Sequence, residues 1–149
     1  MSSIPLACGA FLLAVLWMDL MFDVQVLRHR REGELPETVL ASIAGYYRRV
    51  TIDAWPMNRA IAAVMLLALG SLLVQLFEST GARSVALLSL ALCGGAVALV
   101  PRVVRNAMRL GTRADTRSEQ SRLARSICRD HLICLAGIAA FLALQLAAR

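Results

Sequence analysis

The sequence predicts an all-α integral membrane protein, a four-helix bundle with an interfacial amphipathic helix in its first cytosolic loop. Three observations carry this. Of the 149 residues, 58% are hydrophobic and 17% charged, and the mean hydropathy is +0.65, too apolar for a soluble domain of this size. Four apolar runs approach the length of about 20 residues that a crossing helix needs. The basic residues, all of them arginine, gather in two of the connections between those runs.

The first run covers about residues 4–26. The tail before it, Met1 to Ser3, has no basic segment, so the run reads as a retained span rather than a cleaved signal peptide. The loop that follows, residues 28–56, opens on the charged turn Arg28 to Glu34, where His29 is expected to be solvated. Pro36 and Glu37 mark a helix start, and Val39, Ile43, Tyr46 or Tyr47, and Val50 recur at helical spacing. Such a helix either lies on the membrane surface, with its tyrosines at headgroup level and Arg48 and Arg49 reaching phosphates, or caps the bundle's end.

The second span, about 57–77, begins at Pro56, which the first turn of a helix accepts, after Trp55, a residue suited to the interface. Gly81 sits in a short turn that makes spans two and three an antiparallel hairpin. The third span covers about 83–101 and the fourth about 131–148. Between them, in loop 102–130, Arg102, Arg105 and Arg109 follow a spacing that Arg122, Arg125 and Arg129 repeat. At about 100° per residue each triplet forms one narrow stripe, opposite apolar positions such as Val103 and Ala107. Both spans should therefore continue past the bilayer as amphipathic arms joined near Gly111 to Thr116, with Pro101 a candidate bend. Small residues four apart, such as Ala91 with Gly95 and Ala136 with Ala140, permit close helix contact within one chain or between copies.

Arginine placement sets the expected orientation. Six of the 16 lie between spans one and two and eight from Arg102 to Arg129, leaving Arg83 and Arg149 on the other side. The positive-inside rule then puts both long loops in the cytosol and both termini outside, in a cytoplasmic membrane, with bacterial composition. The net charge of +6 lies on one face. Its expected partner is anionic lipid, not nucleic acid.

Asp19 and Asp23 are the leading functional candidates, because carboxylates inside an apolar run need a partner, a water pocket or a substrate path. Four residues apart, they share one helix face about 6 Å along the axis. Arg102 and Arg105 lie at the same expected depth and would pair with them. The plainer role is an ion-pair network that fixes helix register; the alternative is a ligand or proton site. Cys128, His131 and Cys134 are spaced by three. On an intact helix the two sulfurs stand about 9 Å apart, too far to share one zinc, so a divalent metal would need His131 with one cysteine and Asp19 or Asp23. The cysteines otherwise read as small apolar fillers, and no Cys-x-x-Cys, glycine-rich phosphate loop, nucleophile elbow or zinc-protease motif is present.

The function expected from these residues is a binding or assembly subunit. A polar mouth would gather Asp19, Asp23, Asn58, Arg59, Arg102, Arg105, Asn106, Asp130 and His131, and Arg109, Arg122, Arg125 and Arg129 would join it in holding an anionic lipid or lipid-like ligand. Four spans leave little room for a pore, which points to a homo-oligomer or a larger membrane complex. The competing class is a membrane-embedded enzyme acting on a lipophilic substrate, with Asp19 or Asp23 as acid or base, or as metal ligands, and His131 as proton shuttle. A proton-coupled oligomer using the two aspartates is the third.

Overall fold

Helix α1 (Ile4–Asp23) opens with Pro5 in its first turn, where the missing N–H leaves no bond unmade, and runs on through a 3₁₀ turn, Val24–His29. Helix α2 (Glu37–Arg48) starts where Pro36 turns the chain, and the Pro36 carbonyl accepts from the amides of Val39 and Leu40. A π turn, Arg49–Asp53, leads to α3 (Trp55–Glu78), and two long helices follow, α4 (Arg83–Thr112) and α5 (Arg117–Ala147). The computed structural model describes residues 3–31, 33–53, 55–78 and 83–148. The expected turn at Gly81, the side chain of Trp55 and Arg149 lie outside them.

Four helical stretches, Ile4–His29, Pro56–Glu78, Arg83–Thr112 and Arg117–Ala147, are long and apolar enough to cross a membrane. Their outward faces bear this out: Leu66 is 71% and Phe77 80% exposed on α3, surface that water would not tolerate as a continuous patch. α3 is apolar on all sides, as a helix bathed in hydrocarbon is.

The α4–α5 hairpin is the spine. Its turn is closed from both directions. Arg113 ends α4 in the left-handed region, with φ 57°, and its guanidinium pairs with Glu37 of α2. Thr116 caps α5, its hydroxyl accepting from the Glu119 amide at 3.3 Å, the Thr-x-x-Glu arrangement that satisfies orphan donors of a first turn. Along the seam, polar contacts step down the pair in antiparallel order. Arg109 meets Glu119, Asn106 meets Ser126 at 3.5 Å, Arg102 meets Asp130, and the Cys134 thiol donates to the Ala96 carbonyl at 3.6 Å. Near the far end Gln145 donates to Ser89 at 2.9 Å and, more weakly, to Gln75 of α3 at 3.4 Å. That buried node joins three helices through side chains that each read as an isolated polar residue in the sequence.

Two apolar cores result. One, built from Cys8, Leu12, Leu72, Cys93, Ile138 and Phe141 among others, joins α1, α3, α4 and α5. Gly9 lets α1 and α5 meet there, since a Cβ at this position would stand 2.6 Å from the Phe141 ring. The other core buries Leu40, Ile43 and Tyr47 of α2 against Val103, Ala107 and Leu110 of α4 and Ile127 and Cys128 of α5. The apolar stripe of α2 is therefore spent on the bundle. Gly111 permits this approach, with its Cβ position only 3.1 Å from the Arg48 backbone nitrogen.

Candidate functional site

Asp19 and Asp23 lie on the last two turns of α1, and α2 crosses beside them. Asp23 is completely buried. Its two carboxylate oxygens each receive the Tyr47 hydroxyl at 2.8 Å, and Oδ2 stands 2.6 Å from Nδ1 of His131 on α5. A carboxylate offers only acceptors, so Nδ1 carries the hydrogen in this pair. The other imidazole nitrogen, Nε2, faces Oδ2 of Asp19 at 3.9 Å. Asp19 in turn accepts from the Tyr46 hydroxyl at 2.6 Å. Tyr46 stacks on Phe22 with ring centroids 4.1 Å apart, which fixes its hydroxyl over Asp19. Two carboxylates, one imidazole and two phenols from three elements thus form one largely buried polar cluster, two hydrogen-bonded groups joined by the 3.9 Å contact of His131 with Asp19. Burial, together with the carboxylates they face, holds both tyrosine hydroxyls well above the usual phenol range, so they remain donors.

This arrangement corrects one expectation. Arg102 does not reach Asp23; its guanidinium forks onto Asp130, also fully buried, at 2.8 and 2.6 Å. The reason is azimuth. Asp130 and His131 are neighbours on α5 but point about 100° apart, so α4 is served by one and α1 by the other. Of the two placements open to the α2 tyrosines, Tyr47 takes the one inside the bundle, 2% exposed in the core between helices.

Asp19, Asp23 and His131 do meet, Asp23 by a direct hydrogen bond at 2.6 Å and Asp19 by an ionic contact at 3.9 Å. Among the described residues no group of three or more His, Cys, Asp or Glu is arranged to hold a metal ion. Cys128 and Cys134 are buried free thiols, as are Cys8 and Cys93.

The arginines divide by task. Arg117 donates to the Leu35 carbonyl at 3.0 and 2.9 Å, and Arg125 to the carbonyls of Gly33 at 3.0 Å and His29 at 3.3 Å, so α5 buckles the first loop onto itself. Ser121, accepting from the Leu35 amide at 2.9 Å, completes that buckle and was not legible as a partner in the sequence. Arg109 and Arg122 share Glu119, and Arg102 and Arg129 share Asp130. Asn58 donates to the Thr51 carbonyl at 3.4 Å. Asn58, Arg59 and Arg105 are exposed and line neither of the clefts described next.

Two shallow clefts adjoin along α5, of about 490 and 500 Å³. The first has an apolar floor that includes Val26, Leu27, Leu132, Ile133 and Ala136, with Arg30 at its edge. The second is lined by Gly33, Ser118, Arg122 and Ser126. Arg125 and Arg129 line both, so the surface passes from apolar to guanidinium-rich along a single helix. Val26 and Cys128 are the wall between the first cleft and the buried cluster, each one helical turn from a cluster member. No protein-family model matches the chain, and neither a curated protein nor a solved structure matches it.

Proposed function

We propose that this protein binds an anionic lipid or lipid-like ligand in the α5 cleft and serves as a binding or assembly subunit of the cytoplasmic membrane, as a homo-oligomer or within a larger complex. The observation that carries the reading is the passage from an apolar floor to guanidiniums across Arg125 and Arg129. An acyl chain requires the first surface and a phosphate the second, since arginine forks match phosphate oxygens and the floor matches hydrocarbon. In this reading α2 and both long loops face the cytosol and both termini lie outside, because the arginines cluster at that end. The Asp19, Asp23 and His131 cluster then fixes the register of α1, α2 and α5. The test is lipid retention by purified protein in phosphatidylcholine nanodiscs doped with phosphatidylglycerol, read by native mass spectrometry. Phosphatidylglycerol should be enriched, and R30A and R129A should reduce the enrichment. Equal retention of both lipids would overturn the reading.

One observation favours a second reading, an enzyme acting on a lipophilic substrate. Asp23 and Tyr47 orient the imidazole through Nδ1, which presents Nε2 toward Asp19, the more accessible carboxylate. That is the arrangement by which a carboxylate prepares a histidine to move protons. D19N would then abolish turnover of a lipid substrate while leaving the fold intact.

A further inference from the structure

Two guanidiniums of the apolar cleft have donors to spare for an anion. Arg30 caps the 3₁₀ turn that follows α1 and makes no hydrogen bond or ion pair with the described residues. Arg129, 64% exposed, reaches Asp130 through Nε alone at 3.4 Å, because Arg102 already forks both oxygens of Asp130 at 2.8 and 2.6 Å. The terminal nitrogens of Arg129 are therefore open to a ligand, and both side chains line the cleft that has the apolar floor. One phosphate is the anion that they match.

Away from the floor, the second cleft is polar but holds no spare charge. Arg122 closes its fork on both oxygens of Glu119 at 2.8 and 2.6 Å, and Arg109 pairs with Asp115 at 2.8 Å, so two guanidiniums are matched by two carboxylates. A second anion finds no open fork there. An ammonium group is opposed as well, since Arg122, Arg125 and Arg129 line this cleft and no carboxylate does. The lining does offer a hydroxyl. Ser126 stands three residues from Arg129, about 4.5 Å along the helix axis. Its oxygen accepts from Asn106 at 3.5 Å, and its own hydrogen is spent on no acceptor among the described residues. Ser118 lies about 12 Å farther along the axis, beyond the reach of a group the size of glycerol.

We infer that the ligand is a phosphodiester lipid with a small, uncharged, hydroxylated headgroup, its phosphate between Arg30 and Arg129 and a headgroup hydroxyl against Ser126. This rests on the lipid-binding reading above and specifies its ligand. A polyol suits a charge-balanced polar surface because each hydroxyl both donates and accepts, without bringing a charge that the lining would have to match. The apolar floor makes the ligand a lipid rather than a free phosphate compound.

The experiment uses the full chain in phosphatidylcholine nanodiscs doped in turn with phosphatidylglycerol, phosphatidylethanol or phosphatidylserine, each of the same net charge, with soluble glycerophosphoglycerol as a fourth probe. Phosphatidylglycerol should bind about three- to tenfold more tightly than phosphatidylethanol, the usual worth of one neutral hydrogen bond. It should also exceed phosphatidylserine, whose ammonium meets the guanidiniums. S126A should erase the advantage over phosphatidylethanol, S126T, which keeps the hydroxyl, should preserve it, and S118A should leave it unchanged. Phosphatidylethanol or phosphatidylserine binding as well as phosphatidylglycerol, an S126A protein that keeps the preference, or an S118A protein that loses it overturns the inference while leaving the lipid-binding reading standing. Glycerophosphoglycerol binding as tightly as the lipid overturns the lipid assignment. No advantage of any anionic lipid over phosphatidylcholine removes both.

Discussion

Removing His131 tests whether the buried cluster is an interdependent unit. Asp23 has no exposure and two donors, the Tyr47 hydroxyl at 2.8 Å and His131 Nδ1 at 2.6 Å. H131L leaves the carboxylate with Tyr47 alone in a core lined by Val26, Ile127 and Cys128. Removing one partner of a buried ionic pair costs about 3–5 kcal/mol, because the remaining charge stays desolvated without compensation. For a chain of this length that is a fall in Tm of roughly 6–20 °C. The triple variant D23L/Y47F/H131L eliminates every polar member of that pairing together. Since an apolar replacement of a whole buried pair is often neutral, the triple variant should be more stable than H131L despite carrying two more changes. Thermal unfolding in detergent, followed by circular dichroism at fixed protein and detergent concentration, measures both. If H131L unfolds within about 1 kcal/mol of the parent, or the triple variant loses at least as much as H131L, the cluster is not a coupled unit.

G9A should destabilise the protein by about 1–3 kcal/mol through collision with Phe141 and Leu142, whereas G70A, which meets open space, should be neutral or slightly stabilising; similar Tm values for the two would refute the close approach of α1 and α5. R113G should raise Tm by relieving the left-handed backbone, worth about 1–2 kcal/mol, against the loss of an exposed pair with Glu37 worth at most about 1 kcal/mol; a fall in Tm would refute that ranking. Tyr46 and Tyr47 have hydroxyl pKa values raised by folding, so stability should be flat below the unfolded phenol value of about 10 and decline as pH rises past it. Y46F/Y47F should flatten that decline in Tm measured from pH 8 to 11.5, and identical slopes would count against the assignment.

Much of the fold could be read from apolar run length, since a segment of about 20 apolar residues has few alternatives to spanning a bilayer. The α4–α5 turn was also legible, near Gly111 to Thr116, because the two arginine stripes at helical spacing break off on either side of it. The fate of α2 was not. A stripe of Leu40, Ile43 and Tyr47 fits a lipid surface and a bundle end equally well, and the choice was made by Gly111, whose missing side chain admits the α2 backbone. The candidate site divides similarly. Asp19 and Asp23 announced themselves as charges in an apolar run, yet their partners did not, because sequence position fixes depth in a membrane helix but not azimuth across the bundle. Arg102 and His131 are both at suitable depth for Asp23, and only the packing angle of α5 decides between them. Gln75, Ser89 and Gln145 were invisible for the same reason: each is one polar residue on a different helix, and only the assembled bundle places them within hydrogen-bonding distance.

The buried cluster and the arginine-lined cleft adjoin across the same two helical turns. Val26 and Cys128, each three residues from Asp23 or His131 and so on the same helix face, stand between the cluster and the cleft. Rotation of either turn would therefore change both surfaces at once. The register that Tyr46 and Tyr47 impose on α1 through its aspartates is, by this geometry, also the register that sets the apolar floor beside Arg125 and Arg129. Moving one carboxylate by one position would break its phenol bond and shift Val26 and Leu27, the part of the floor that follows α1, relative to the lining residues of α5. The paired aspartates thus matter to the cleft without lining it, and the α2 helix, which supplies both phenols, governs a surface to which it contributes no residue.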